Sequence, residues 1–139
     1  MKHTVALAYG FALLLLPATL FAAGPAMKEG LWEITTTMDM PGMPFKMPPT
    51  TVSHCYSKED VASKERVVPK QKDDCKMTDF RQSGNRVTWK VACRGKHASK
   101  GEGEMVFRGA TAYEGSMKLD SDGMVMTTNY KAKRVGDCK

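Results

Sequence analysis

The sequence predicts an all-β fold, an antiparallel meander curled into a small sandwich or partly open barrel, with one short surface helix. Three observations carry this expectation. Apolar and polar residues alternate with period two from Gly30 almost to the end of the chain, as strands with one buried face require. Short clusters of turn-forming residues separate the alternating runs at regular intervals. Four cysteines, an even number, lie behind an apolar leader, in the arrangement of a disulfide-stabilised small domain.

The leader comprises Met1-Lys2-His3, an apolar run from Val5 to Leu16, then Pro17 and the small-residue stretch Phe21-Ala22-Ala23-Gly24. This is the pattern of a secretory signal peptide cleaved after Ala22 or Ala23. A retained anchor would need about 20 apolar residues without the break at Pro17, so no membrane span is expected after cleavage. No cysteine follows the cleavage point, so the lipid-attachment pattern of a lipoprotein is absent. The expected organisation is a signal peptide at 1–23 and a single β domain at 24–139, one domain by size. Net charge is +6 for the chain and +5 once Lys2 is removed. An exported chain of this mild basicity meets anionic glycans, lipid head groups or acidic proteins and not nucleic acid.

The first strand is Gly30 to Met40, with Trp32, Ile34, Met38 and Met40 on one face and Glu33, Thr35, Thr37 and Asp39 on the other. The clearest is Arg86 to Arg94, where Val87, Trp89, Val91 and Cys93 share a face. Cys75 to Gln82 precedes it across Ser83-Gly84-Asn85, a hairpin loop. Met105 and Phe107, then Tyr113, Met117 and Leu119, then Met124, Met126, Tyr130 and Ala132 mark three more strands, with turns at Gly109-Ala110-Thr111 and Asp120-Ser121-Asp122-Gly123. Two segments break the pattern. Residues 40–49 contain four prolines and form a proline/methionine-rich loop. Ser57 to Pro69 opens on Ser57-Lys58-Glu59-Asp60, an N-cap with acids in the first turn, and its polarity suits a short helix on the surface. The expected core is Trp32, Ile34, Val87, Trp89, Val91, Phe107, Tyr113, Leu119 and Tyr130, curved so as to leave room for an apolar hollow.

The cysteines lack any C-x-x-C spacing, which argues against a zinc ribbon or a thioredoxin-type redox site. A three-residue loop at 83–85 sets position i opposite position 168 − i and so places Cys75 against Cys93. Cys55 then joins Cys138 by exclusion. Closing that long loop would stabilise the fold by about 4 kcal/mol in the chain-entropy picture.

The order Gly30-Leu31-Trp32-Glu33-Ile34-Thr35, a Met/Pro-rich loop, Thr50-Thr51-Val52-Ser53-His54-Cys55, then Cys75, Cys93 and Gly136-Asp137-Cys138 resembles the exported bacterial proteins grouped as domain of unknown function 3617. The resemblance spans nearly all of the chain behind the leader. It implies a β-rich fold and a Gram-negative periplasmic setting, and no activity.

Catalytic patterns are sparse. Only His54 and His97 lie behind the leader, and neither G-x-S-x-G nor H-E-x-x-H occurs. His54 adjoins Cys55, but strand neighbours point to opposite faces and the thiol is expected to be oxidised. Gly95-Lys96-His97-Ala98-Ser99-Lys100-Gly101 lacks Walker spacing and reads as a solvated hairpin loop, and Glu102 and Glu104 as same-face strand neighbours. The sharpest chemical signal is methionine: Met38, Met40, Met43 and Met47, with His54 beyond, are candidate soft-metal ligands for Cu(I), since thioethers remain available where thiols are locked in disulfides. The competing account makes Met38 and Met40 core residues and Met43 and Met47 adaptable loop contacts, in keeping with Met77, Met105, Met117, Met124 and Met126 on expected inward faces. Arg86, Thr88, Lys90, Lys131 and Lys133 form a candidate cationic outer face for an anionic envelope component.

The leading expectation is a non-enzymatic periplasmic binding or envelope-maintenance protein without cofactor, its partner a small lipophilic ligand or an anionic envelope component. Copper handling through the methionine-rich loop is the alternative, and an envelope hydrolase a distant one. Peptide mapping without reduction is expected to recover Cys75 linked to Cys93; a Cys55–Cys75 peptide would refute the register argument.

Overall fold

The computed structural model describes residues 26–69, 73–96 and 98–139. The expected signal peptide at 1–23 lies outside them, as does His97. Seven antiparallel strands form one open sheet: β1 Gly30–Asp39, β2 Thr50–Tyr56, β3 Cys75–Ser83, β4 Arg86–Cys93, β5 Ser99–Phe107, β6 Ala112–Ser121 and β7 Met124–Gly136. Their spatial order is β2-β1-β7-β6-β5-β4-β3, so strands β3 to β7 make the expected meander and β1 closes against β7. Of the two outcomes anticipated, sandwich and partly open barrel, the sheet takes the open form, with β2 and β3 as its edges.

Because β2 and β3 sit at opposite edges, the chain joining them must cross a face of the sheet. It does so through α1 Lys58–Ala62 and α2 Lys64–Val67, two short helices where one was expected. Ser57 caps α1 in a full capping box: its hydroxyl accepts from the Asp60 amide while the Asp60 carboxylate accepts from the Ser57 amide. The crossing segment is not merely superficial. Val67 and Val68 are each 3% exposed and pack into the core, a contribution of about 1.5–3 kcal/mol apiece. Lys64 lies with its Nζ 5.0 Å from the centre of the Phe107 ring and donates to the Gly84 carbonyl at 3.2 Å. Its partial burial lowers its pKa below that of an ordinary lysine.

Beneath this strap lies the core. Trp32, Val87, Trp89, Val91, Phe107 and Tyr113 are buried as expected, and Ile34, Leu119 and Tyr130 pack partly buried around them. Met27, Tyr56, Met105, Met117 and Ala132 join them. Trp32 stacks on Tyr113 at 5.6 Å and meets Tyr56 edge-on at 6.0 Å, while its indole donates to the Lys28 carbonyl at 3.1 Å. The hydroxyls of Tyr56 and Tyr113 share a buried 3.0 Å hydrogen bond. These residues lie on β2 and β6, three strand spacings or about 14 Å apart on a flat sheet, so the bond reports a sheet curled toward its strapped face. Trp32, Trp89, Phe107 and Met105 are at most 1% exposed. The centre of the expected apolar hollow is therefore filled by side chains.

The hairpin between β3 and β4 departs from expectation in an instructive way. Its turn has two residues, Gly84 and Asn85, not three, and Ser83 faces Arg86. A bulge then sets Asp79 and Phe80 together opposite Trp89, with Asp79 at φ +54°, and shifts the register by one. The two departures cancel, and Cys75 still faces Cys93, with Cα atoms 3.9 Å apart. Cys55 and Cys138 are likewise paired, at 5.7 Å.

Strand β5 extends back to Ser99, through glycines that concealed it in the sequence. Gly103 faces the Trp89 ring and Gly101 faces Leu119, each where a Cβ would collide with its neighbour. The Trp89 Nε1, pressed into this site, has no hydrogen-bond partner among the described residues. Met124, expected to face inward, is 68% exposed at the β6–β7 turn, where Asp122 and Gly123 both take positive φ.

Two outcomes are expected. Gly103→Ala should destabilise the protein by about 1–3 kcal/mol through overpacking, whereas Gly136→Ala, where a Cβ meets nothing, should change stability by less than about 0.5 kcal/mol in urea denaturation. Burial raises the pKa of Tyr56 and Tyr113 in the folded protein. The unfolded phenols therefore release protons first, and stability should be intact below about pH 10 and fall above it. A Tyr56→Phe/Tyr113→Phe variant showing an equally steep alkaline loss would assign that loss to other groups.

Candidate functional site

At one end of the sheet lie the β1–β2 loop, the β4–β5 connection and the β6–β7 turn; the strap enters from the other end. The β1–β2 loop begins where β1 stops at Asp39, and Met40-Pro41-Gly42-Met43 forms its first turn. The Met43 amide donates to the Met40 carbonyl at 3.2 Å and Gly42 has φ +93°. Proline second and a positive-φ glycine third are the signature of a type II turn, which brings its first and fourth residues within about 7 Å. Met38 lies near the end of β1 and Met40 just beyond it. The loop then bends back through Pro44 and Phe45 to Met47. The outcome is a pocket of about 150 Å³ lined by Met38, Met40, Met43 and Met47 together with Asp39, Pro41, Phe45 and Lys46.

The structure thus brings together all four methionines singled out in the sequence and leaves out the fifth candidate. His54 lies on β2 opposite Trp32, four residues beyond Thr50, with its ring 4.5 Å from that of Tyr56. It is not among the residues lining the methionine pocket. It does face away from Cys55, as strand geometry demands: His54 shares the face of Trp32, whereas Cys55 pairs with Leu31 on the outer face and is bonded to Cys138. The expectation that Met38 is core is not met. Met38 is 43% exposed, Met43 44% and the neighbouring Phe45 62%. Asp39, Phe45 and Lys46 are lining residues that the sequence reading missed; the Pro41-Gly42 pair was the available signal that the loop folds back on itself.

The outer face is not a single cationic surface. Arg86 pairs with Glu104 at 2.7 Å, Lys90 with Asp79 at 3.4 Å and Lys133 with Glu33 at 3.2 Å. Lys131 stands opposite Glu114, whose carboxyl is held below the usual range by Arg108. Strands β5 and β6 interpose between the two lysine-bearing strands and bring Glu102, Glu104, Glu114 and Asp120 onto the same face. A groove of about 380 Å³ crosses this face between Asp79, Thr88, Lys90, Glu102, Glu104, Ser116, Lys118 and Thr127. Its charges alternate in sign from strand to strand, as Lys90, Glu102 and Lys118 do across three neighbours. Glu102 and Glu104 are same-face neighbours, as read from the sequence.

The Gly-Leu-Trp-Glu start of β1 has a physical explanation in each part. Gly30 sits at φ +135° against the Arg134 guanidinium, where a Cβ would meet Arg134 Nε at 2.7 Å. Arg134 in turn donates to the Glu29 carbonyl at 2.7 Å and pairs with Asp137. Leu31 stands beside the disulfide-bonded Cys55, Trp32 anchors the core and Glu33 pairs with Lys133.

No curated protein and no solved structure matches the chain. Residues 27–138, from the buried Met27 to the disulfide-bonded Cys138, match the family described as protein of unknown function (DUF3617), and to that family the chain belongs.

Proposed function

We propose that this is a non-enzymatic binding protein of the bacterial periplasm, and that it takes its ligand at the loop end of the sheet. The observation that carries this reading is the distribution of exposed apolar side chains. Of the six exposed large apolar side chains among the described residues, five (Met38, Met43, Phe45, Val52 and Met124) lie toward the loop end and are each at least 43% exposed, while Val135, 44% exposed, lies at the other end of β7. Three of the five belong to the proline-rich loop or its β1 root, and Val52 faces Ile34 on the adjoining strand. Apolar exposure gathered at one end of a sheet is a feature of interaction sites more than of ordinary surface. Export is supported by the leader pattern and by four cysteines paired in two disulfides. The non-enzymatic part rests on the placement of the reactive groups: the cysteines are bonded to one another, His54 stands against Tyr56, and burial holds the Tyr56 and Tyr113 phenols protonated.

Protein purified from the periplasm should carry a non-covalent adduct in native mass spectrometry. Its removal should shift the methyl resonances of Met38, Met43 and Met124 while leaving those of the buried Met105 and Met117 in place. An adduct that moves only Met105 and Met117 would put the site elsewhere, and a protein that purifies bare would count against the reading.

A further inference from the structure

Resting on that reading, we infer that the methionine pocket of the β1–β2 loop is a binding site for a soft monovalent metal ion, Cu(I) or its analogue Ag(I), with thioether sulfurs as ligands. Four methionines line one small pocket although they are spread over ten residues of chain. The type II turn at Met40-Pro41-Gly42-Met43 does the gathering. Four prolines in residues 41–49 limit the conformations the loop can sample and so lower the entropy lost on holding several flexible side chains about one point.

The pocket's size and chemistry narrow the occupant. At about 150 Å³ it is smaller than the roughly 300–1,000 Å³ of pockets that enclose organic ligands, while an ion with its donor atoms fits. The donors select among ions. Mg²⁺, Ca²⁺ and Mn²⁺ want several oxygens and Zn²⁺ wants imidazole or thiolate; the pocket offers one carboxylate, Asp39, and no imidazole or thiol. Thioethers suit Cu(I) and bind without releasing a proton. Unlike thiolates, they stay available while the cysteines are held in disulfides, so the metal site and the two bridges are compatible in one oxidising compartment. Asp39 and Lys46 bring one charge of each sign to the rim and leave the selection to the sulfurs.

The test uses the full disulfide-bonded protein, titrated anaerobically with Cu(I) kept reduced by ascorbate, which spares the bridges, against a chromophoric Cu(I) chelator. Ag(I) is followed in parallel by native mass spectrometry. The expected result is one metal ion per chain. Affinity should fall at least tenfold in Met43→Leu and Met47→Leu and stay unchanged in Met77→Leu, a partly buried methionine of β3 outside the pocket. Leucine preserves side-chain volume, and an unaltered thermal midpoint of each variant separates loss of a ligand from loss of the fold. Absence of uptake by the wild-type protein, or uptake indifferent to Met43 and Met47, overturns the inference. If the wild type ignores metal but still carries an adduct that moves the Met38 and Met124 resonances, only the metal assignment fails; a protein that binds nothing at all removes both.

Discussion

The strand order imposes one constraint from which much else follows: consecutive strands β2 and β3 end at opposite edges of a seven-stranded sheet. The chain between them must lie across a face, and the face it crosses becomes the interior. Val67 and Val68 bring this strap into the buried cluster that also holds Trp32, Tyr56, Phe107 and Tyr113. A sheet of this size with one face open to water would leave two tryptophans exposed. The strap supplies the second layer that a single sheet needs. Eighteen residues, 57–74, join the two edge strands, and the two short helices occupy the first part of them.

The fold was legible in the sequence wherever burial produces alternation. Val87, Trp89 and Val91 declared β4, and Trp32 and Ile34 declared β1. The features that stayed hidden share a physical cause, for each depends on a partner far along the chain. Gly101 and Gly103 resemble loop residues until Leu119 and Trp89 are seen lying over them. Val67 and Val68 sit in a polar segment whose burial depends on the sheet beneath. The bulge at Asp79 has no local signature, since aspartate is only one of several residues that tolerate positive φ. The disulfide between Cys75 and Cys93 was nevertheless anticipated through a turn one residue too long, because the bulge made up the difference.

The chemistry of the site was legible to a different depth. Composition alone singled out Met38, Met40, Met43 and Met47, and the Pro41-Gly42 turn gathers them. Proximity in sequence was a poor guide for His54, which rigid strand geometry holds beside Tyr56. The basic residues illustrate the same limit. Arg86, Lys90 and Lys133 share a face by alternation, but alternation along one strand says nothing of the charges on the next, and here the neighbouring strands answer with Glu104, Glu102 and Glu33. Salt bridges this exposed contribute at most about 1 kcal/mol each, so their effect is to hold the outer face near neutrality more than to hold the fold together.

The two edges of the sheet are protected unequally. Strand β3 carries Lys76, Arg81 and the Asp79 bulge, all of which discourage another strand from pairing alongside. Strand β2 runs Thr-Thr-Val-Ser-His-Cys-Tyr with an unbroken register on β1 and no charged lysine or carboxylate. What secures it is the covalent tie from Cys55 to Cys138. Reduction of that bond would free the strand to peel away, baring the main-chain amides and carbonyls of β1 as a template for self-association. In this molecule the Cys55–Cys138 bond guards against aggregation as well as unfolding.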